Sequence, residues 1–159
     1  MSRIRAAIRM TDDELAAFLE EPNKLQLGTI NRDGTPHLSA MYYAMIDGRI
    51  GFWTYRTSQK AVNLLRDPRA TCMVETGWDY EELRGASLTG TIETVTEIAD
   101  VLAIGRVVYG RYLPPDPDGN MEPFLADQAT KRHAYLLTPS KVASWDHTKL
   151  AAAYAGTAP

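Results

Sequence analysis

The sequence predicts a small, mainly β protein: an antiparallel β-barrel with peripheral helices. Two Asp-Gly pairs, Asp33-Gly34 and Asp47-Gly48, each lie between apolar runs, which is a strong short-range signal for a β-hairpin. Apolar and polar residues alternate strictly over 83–95, which indicates a half-buried strand. About seven runs of this kind are recognisable, and antiparallel strands in that number avoid exposed edges by closing into a barrel.

Each strand is predicted from an apolar run bounded by turn residues. The predicted strands are Leu25–Ile30, His37–Ile46, Arg49–Tyr55, Ala70–Glu75, Leu83–Val95, His133–Leu137 and Lys141–Trp145. Because two hairpins join the first three strands in succession, these three are expected to form an antiparallel meander.

Helices are predicted from capping residues and from apolar faces. Thr11-Asp12-Asp13-Glu14 is a capping box that opens a helix ended by Pro22, and Thr94-Val95-Thr96-Glu97 is predicted to open a second, longer helix. A short helix is expected over Ser58–Leu65, ended by Asp67-Pro68, and another over Phe124–Thr130.

Bulk composition narrows the classes of function. The 159 residues fit a single domain, with an ordered core over about 11–150 and peripheral tails at 1–9 and 151–159. Hydrophobic residues make up 45% and charged residues 23%, with a net charge of −3, so neither nucleic acid nor membrane is an expected partner. A lone cysteine, Cys72, and the lack of a signal-peptide pattern favour the cytoplasm. The three histidines show no ligand spacing, and no metal site is expected.

The segment Trp53–Lys60 is the main candidate for chemistry, because it runs from the end of a strand into the start of a helix. It brings three hydroxyls, of Thr54, Thr57 and Ser58, to a helix N-terminus, where unpaired N–H groups favour anions. Lys60 is unfavourably placed against the helix dipole, and a bound phosphate would remove that conflict. The alternative is an ordinary N-cap at Ser58 or Thr57 beside a solvated lysine.

Five motifs in order extend this hypothesis to a family. They are Asp33-Gly34-Thr35-Pro36-His37, Ser58–Leu64, Arg66-Asp67-Pro68-Arg69, Tyr80–Gly85 and Ser144–Leu150, with Thr54 between the first two. Together they resemble the pyridoxamine 5'-phosphate oxidase-like split-barrel superfamily, and the last two resemble its F420-dependent branch, the flavin/deazaflavin oxidoreductases of type B. The likeness covers about residues 11–150.

This resemblance implies a homodimeric FMN-binding-type split barrel, six-stranded in that family, with a cofactor at each of two sites on the dimer interface. Lys60 then contacts the cofactor phosphate, assisted by the residues beside it, and the strand around Ser39 lies along the flavin or deazaflavin ring. Trp145 approaches the site from the partner subunit; the alternative is that it belongs to the barrel core. The implied cofactor-binding residues are Ser39, Ala40, Met41, Thr54, Arg56, Thr57, Ser58, Gln59, Lys60 and Trp145.

Two departures from the oxidase pattern bear on which cofactor is bound. The strand over 37–43 carries no Lys or Arg, and Gln59 stands where the family has a second phosphate-binding arginine. Two missing charge-assisted contacts, each worth about 1.5–3 kcal/mol, weaken FMN phosphate binding and favour F420. Its longer anionic tail can spread over scattered cations; the candidates are Lys24, Arg56, Arg3, Arg5 and Arg9, and the alternative for them is surface solubility.

The implied activity is hydride transfer from reduced F420 to a conjugated acceptor such as an enone, quinone or tetrapyrrole. Aromatic pocket walls are expected from Tyr42, Tyr43, Trp53, Trp78 and Tyr80. No side chain is identified as the catalytic proton donor; solvent or Tyr80 are the candidates. Two alternatives stay open: an FMN-dependent oxidase-like enzyme, and a noncatalytic flavin- or haem-binding module.

Overall fold

The computed structural model describes residues 3–21 and 23–155, and over this part of the chain seven strands form one antiparallel sheet. The strands are β1 Leu25–Ile30, β2 Pro36–Met41, β3 Ala44–Ile46, β4 Arg49–Tyr55, β5 Arg69–Thr76, β6 Arg84–Val95 and β7 Arg132–Asp146. Their order across the sheet is β2-β1-β5-β6-β7-β4-β3. The mainly β, antiparallel prediction is confirmed.

The sheet curls into a half-barrel because its two edge strands are consecutive in the chain. β2 and β3 occupy opposite edges, yet only Tyr42 and Tyr43 separate Met41 from Ala44. Three Cα–Cα steps span at most about 11 Å, so the two edges must approach each other at this corner. The result is a split barrel. The chain itself joins its two edge strands, which a continuous ladder of hydrogen bonds would join in a closed barrel.

The meander predicted over the first three strands is therefore wrong. The run His37–Ile46 is two strands: β2 pairs with β1, and β3 pairs with β4. Tyr43 breaks the run because its side chain is fully buried in the barrel, where its hydroxyl donates to the Leu19 carbonyl at 2.9 Å. An apolar run does not distinguish a straight strand from one that turns a corner.

Six α-helices cover the half-barrel within the described residues. They are α1 Arg3–Ala7, α2 Asp12–Glu20, α3 Gln59–Arg66, α4 Ile98–Tyr112, α5 Glu122–Ala129 and α6 Leu150–Ala155. The capping box of α2 is confirmed, since Glu14 N donates to Thr11 Oγ1 at 3.2 Å and Thr11 N donates to Glu14 Oε2 at 2.7 Å. Pro22, the predicted stop, lies outside the described residues.

The second predicted capping box is wrong. β6 continues to Val95, and α4 begins at Ile98 with Glu97 as an N-cap that makes no side-chain hydrogen bond. Cross-strand pairing with β7 extends to Val95 and Ala134, so the sheet ladder outcompetes local capping. That same ladder merges the last two predicted strands into β7, with Pro139 accommodated at a register irregularity opposite Gly90.

Two apolar clusters hold these layers together. The barrel interior contains side chains from α2, α3 and the strands, among them Phe18, Leu27, Phe52 and Cys72. Burial raises the pKa of the Cys72 thiol to about 12, which suits an inert core residue. The second cluster lies between α4, α5 and the strands β3, β4 and β7. The first cluster thus fixes both β4 and α3, which flank residues 56–58.

Candidate functional site

The N-terminus of α3 lies immediately after β4 and keeps its first backbone N–H groups free of side-chain caps. Ser58 is the N-cap by position, with an extended backbone, but its side chain makes no cap hydrogen bond. The first helical bond runs from Val62 N to Ser58 O at 3.0 Å. The preceding N–H groups of the first turn are therefore available to a ligand.

Two of the predicted hydroxyls lie together at this helix start. Thr54, at the end of β4, is only 5% exposed, and its Oγ1 lies 3.4 Å from the Oγ of Ser58. Apart from this contact, the Ser58 hydroxyl makes no hydrogen bond to the N–H groups of the helix start. Thr57 is exposed. The segment therefore presents donors to an incoming anion without an internal cap that competes for them.

Lys60 lies in the first turn of α3 with its side chain half-buried. Among the residues that the structure describes, no carboxylate lies within ion-pair distance of its ammonium group. Burial lowers the pKa of Lys60 from its ordinary value. An unpaired, partly desolvated cation beside the positive end of a helix dipole is locally unfavourable, and a bound anion would stabilise it.

Gln59 and Arg56, by contrast, already bind groups of the protein itself. The Gln59 amide donates to Asn63 Oδ1 at 2.9 Å, and the Arg56 guanidinium donates to the Thr130 carbonyl at 3.3 Å, at the end of α5. Asn63 is fully buried and donates to Thr29 Oγ1 at 3.1 Å. Sequence reasoning missed Asn63; an amide on the apolar side of a short helix is the signal that indicates it.

The stretch Ser39-Ala40-Met41 lies on edge strand β2, with alternating side chains on opposite faces. Met41 packs against the barrel core, whereas Ala40 is exposed, as is Leu38 at 72%. The Ser39 hydroxyl is buried and has no hydrogen-bond partner within the described residues. An orphaned buried hydroxyl beside a strand edge is a group that a ligand can satisfy.

Strand β1 connects α3 to β2. Thr29, which receives the Asn63 hydrogen bond, lies opposite His37 in the β1–β2 ladder. His37 is two residues from Ser39 in β2. Strand β1 therefore contacts both the helix that carries Lys60 and the strand that carries Ser39.

Trp145 is not part of this local cluster. It lies on β7, four strand positions from β2 in the sheet. Its indole packs against Gly85, where an added Cβ would come within 2.2 Å of the ring. β4, the strand that leads to Lys60, pairs with β7 only over Arg132–Leu136, and Trp145 lies nine residues beyond Leu136. Trp145 instead lines a separate cleft with Arg5 and Arg9.

The predicted aromatic walls are dispersed. Tyr43 belongs to the barrel core, and desolvation raises the pKa of its phenol to about 12. Trp78 is 93% exposed, and the Tyr80 ring packs against His147 with centroids 4.5 Å apart. Tyr42 and Trp53 do line one small cavity against α4. No group of three or more His, Cys, Asp or Glu placed to hold a metal occurs in the described residues.

These features define a split barrel in which an uncapped helix start carries Lys60. The chain belongs to the pyridoxamine 5'-phosphate oxidase family, whose profile matches residues 11–146. Two Cupriavidus proteins, from C. taiwanensis and C. necator, both named pyridoxine/pyridoxamine 5'-phosphate oxidase, are 32% identical over 90 residues. That alignment covers 56% of this chain and 41% of the relatives, so the chain matches less than half of their length.

Solved structures extend the similarity over nearly the whole chain. A conserved hypothetical protein of Mycobacterium tuberculosis, Rv2991, is 41% identical with a TM-score of 0.86, covering 92% of this chain and 91% of that one. A protein described as an F420 reductase has a TM-score of 0.58 at 22% identity, covering 79% and 93% of the two chains. At that identity the second likeness shows the fold alone. No helix in the described residues is long and apolar enough to cross a bilayer.

Proposed function

We propose that this protein is a cytoplasmic F420-dependent oxidoreductase that reduces a conjugated small molecule such as an enone, quinone or tetrapyrrole. The observation that carries the proposal is the start of α3, where Lys60 has no carboxylate partner among the described residues and the first N–H groups are uncapped. This arrangement suits the phosphate of a coenzyme. Family membership and the F420 reductase of the same fold agree with it.

F420 is favoured over FMN by the shortage of fixed cations near this site. β2 carries no Lys or Arg, and Gln59, which stands in the place of a second cation, donates its amide to Asn63. Each missing charge-assisted contact costs about 1.5–3 kcal/mol of FMN phosphate binding. Arg5 and Arg9 lie with Trp145 rather than with Lys60, which leaves Lys24 and Arg56 as tail-binding candidates on the same chain.

The protein's part in the reaction is positioning and exclusion of water. When bound, F420 supplies the hydride from C5 of its reduced ring. Lys60, Ser58 and the α3 N–H groups would hold the phosphate, while Thr54 keeps the Ser58 hydroxyl oriented through the 3.4 Å contact. The Ser39 hydroxyl and the backbone of Ala40 and Met41 would line the ring.

A homodimer completes this proposal. The free edge of β2 and its 72%-exposed Leu38 are an apolar surface that a second copy can cover. In this proposal Trp145 of the second copy contacts the ligand bound at Lys60.

An FMN-dependent oxidase-like enzyme is the second candidate, because the curated relatives carry that activity in their names. Fluorescence titration of the purified protein with F420 and with FMN separates the two. We expect F420 to bind about tenfold or more tightly than FMN. Yellow protein that retains FMN through purification, or equal affinities, would reject the F420 assignment.

A further inference from the structure

A cavity of about 520 Å³ lies between α2, the β3–β4 turn and the strands β6 and β7. Leu88 and Val142 line it from β6 and β7, and Gly48 lines it from the turn. Gly48 directly precedes β4, whereas the segment that leads to Lys60 directly follows β4. Because the seven residues of β4 span about 20 Å, the cavity and the start of α3 lie at opposite ends of this strand.

The floor of the cavity is aliphatic and continuous with the barrel core. Leu19 and Leu88 belong to the core cluster, and Leu15, Met45 and Val142 pack against it. Among the residues that the structure describes, no aromatic side chain lines the cavity. Such a wall offers apolar contact but no ring on which a planar ligand could stack, and it therefore suits a hydrocarbon chain.

The wall that α2 contributes has a carboxylate at each end. The residues of α2 that share this wall are Asp12, Leu15, Ala16, Leu19 and Glu20. They occupy positions i, i+3, i+4, i+7 and i+8, which lie on one face of an α-helix. At a rise of about 1.5 Å per residue, Asp12 and Glu20 are about 12 Å apart along the helix axis. One helix face thus presents two acids with an apolar stretch between them.

Both carboxylates are open to a cation from outside the protein. Within the described part of the chain, no Lys, Arg or His lines the cavity, and no cation lies within ion-pair distance of Asp12. Glu20 lies 3.9 Å from Arg111 Nη1, but its side chain is 67% exposed. Arg111 is held instead by the carbonyls of Leu19 and Glu21, to which its Nη2 donates. An apolar floor between two accessible carboxylates favours a cationic ligand.

We propose that this cavity binds an aliphatic diamine. One ammonium group pairs with Asp12 and the other with Glu20, while the hydrocarbon chain packs on Leu15 and Leu19. An extended eight-carbon diamine with bonds of about 1.5 Å places its nitrogens about 11 Å apart, which matches the spacing of the two acids. The cavity volume lies in the range of small-molecule sites, about 300–1,000 Å³, whereas a protein partner would need a far larger surface. The inference does not depend on F420 binding.

Calorimetric titration of the full chain with 1,8-diaminooctane at neutral pH tests the proposal. We expect one molecule bound per chain, with affinity that falls as salt is added. Asp12→Asn and Glu20→Gln should each weaken binding about fivefold, which is the loss expected for one partly exposed ion pair. Asp13→Asn is the matched control, because it removes a carboxylate from the same first turn of α2 but does not line the cavity. It should leave binding unchanged, as should Lys60→Ala.

Two further amines test the paired charges and their spacing. Octylamine has one ammonium group and 1,4-diaminobutane is too short to span both acids, so each should bind about fivefold or more weakly than 1,8-diaminooctane. Equal binding of either amine would overturn the inference. Absence of 1,8-diaminooctane binding would also overturn it. If sedimentation then showed a dimer that Ala16→Glu dissociates, the cavity would belong to an interface between copies of the chain.

Discussion

Asn63 Nδ2 lies 3.1 Å from Thr29 Oγ1, and both residues are buried. The same amide nitrogen lies 3.0 Å from Asn31 Oδ1. One side chain thus attaches α3 to β1 and to the loop that follows it, and it fixes the helix whose first turn carries Lys60.

Replacing Asn63 with Leu should lower the free energy of unfolding by about 1–3 kcal/mol, because Thr29 then loses its buried partner. The variant should also weaken cofactor binding, since the start of α3 is no longer held against the barrel. Urea unfolding measures the first effect and cofactor titration the second. Leu65→Ala, at an 83%-exposed position of the same helix, is the control and should change stability by less than about 0.5 kcal/mol.

Lys60→Met should separate binding from stability. Because burial lowers the pKa of Lys60, folding destabilises its charged form, so removing the charge should leave the melting temperature unchanged or raised. Helix propensities of Lys and Met are similar. Affinity for F420 should nevertheless fall about tenfold or more.

The pH dependence of binding follows from the same shift. Affinity should decline as pH rises through the pKa of Lys60, starting below the ordinary lysine value of 10.5. Lys131→Ala, which removes an exposed lysine paired with Asp127, is the matched control and should keep wild-type affinity. Unchanged affinity in Lys60→Met would exclude Lys60 from the site.

Capping and turn residues predicted the parts of this fold that depend on short-range interactions. The capping box at Thr11 and both Asp-Gly turns depend on residues a few positions apart, and the structure confirms them. The split between β2 and β3 was missed because it depends on Tyr43, whose burial against Leu19 is a contact across the barrel. No pattern within the run His37–Ile46 predicts that contact.

The candidate site likewise combines features that adjacent residues predict with contacts that they do not predict. The helix start at Ser58 and the position of Lys60 are read from adjacent residues. The Asn63–Thr29 bond, the orphaned Ser39 hydroxyl and the cleft under Trp145 join segments far apart in sequence. These contacts depend on the strand order, which the turn signals alone did not determine.

The two predicted capping boxes give a paired test of local against tertiary control. Thr11→Ala should cost about 0.5–2 kcal/mol of unfolding free energy, because Thr11 Oγ1 accepts from Glu14 N at 3.2 Å. Thr96→Ala should be nearly neutral, because α4 has no side-chain cap. Urea denaturation of both variants checks the difference; equal losses would mean that Thr96 does cap α4.

Gly85 and Gly110 provide a second pair of test positions. The space beside the Gly85 Cα is filled, whereas the space beside the Gly110 Cα is open. A Cβ at Gly85 would lie 2.2 Å from Trp145 Cζ2, whereas a Cβ at Gly110 meets nothing within 4 Å. Gly85→Ala should therefore displace the indole, destabilise the protein by about 1–3 kcal/mol and shift its tryptophan emission. Gly110→Ala lies inside helix α4 and should stabilise it by about 0.4–1 kcal/mol without changing the emission. A Gly85→Ala protein with wild-type emission and stability would show that Trp145 is not held by its contact with Gly85.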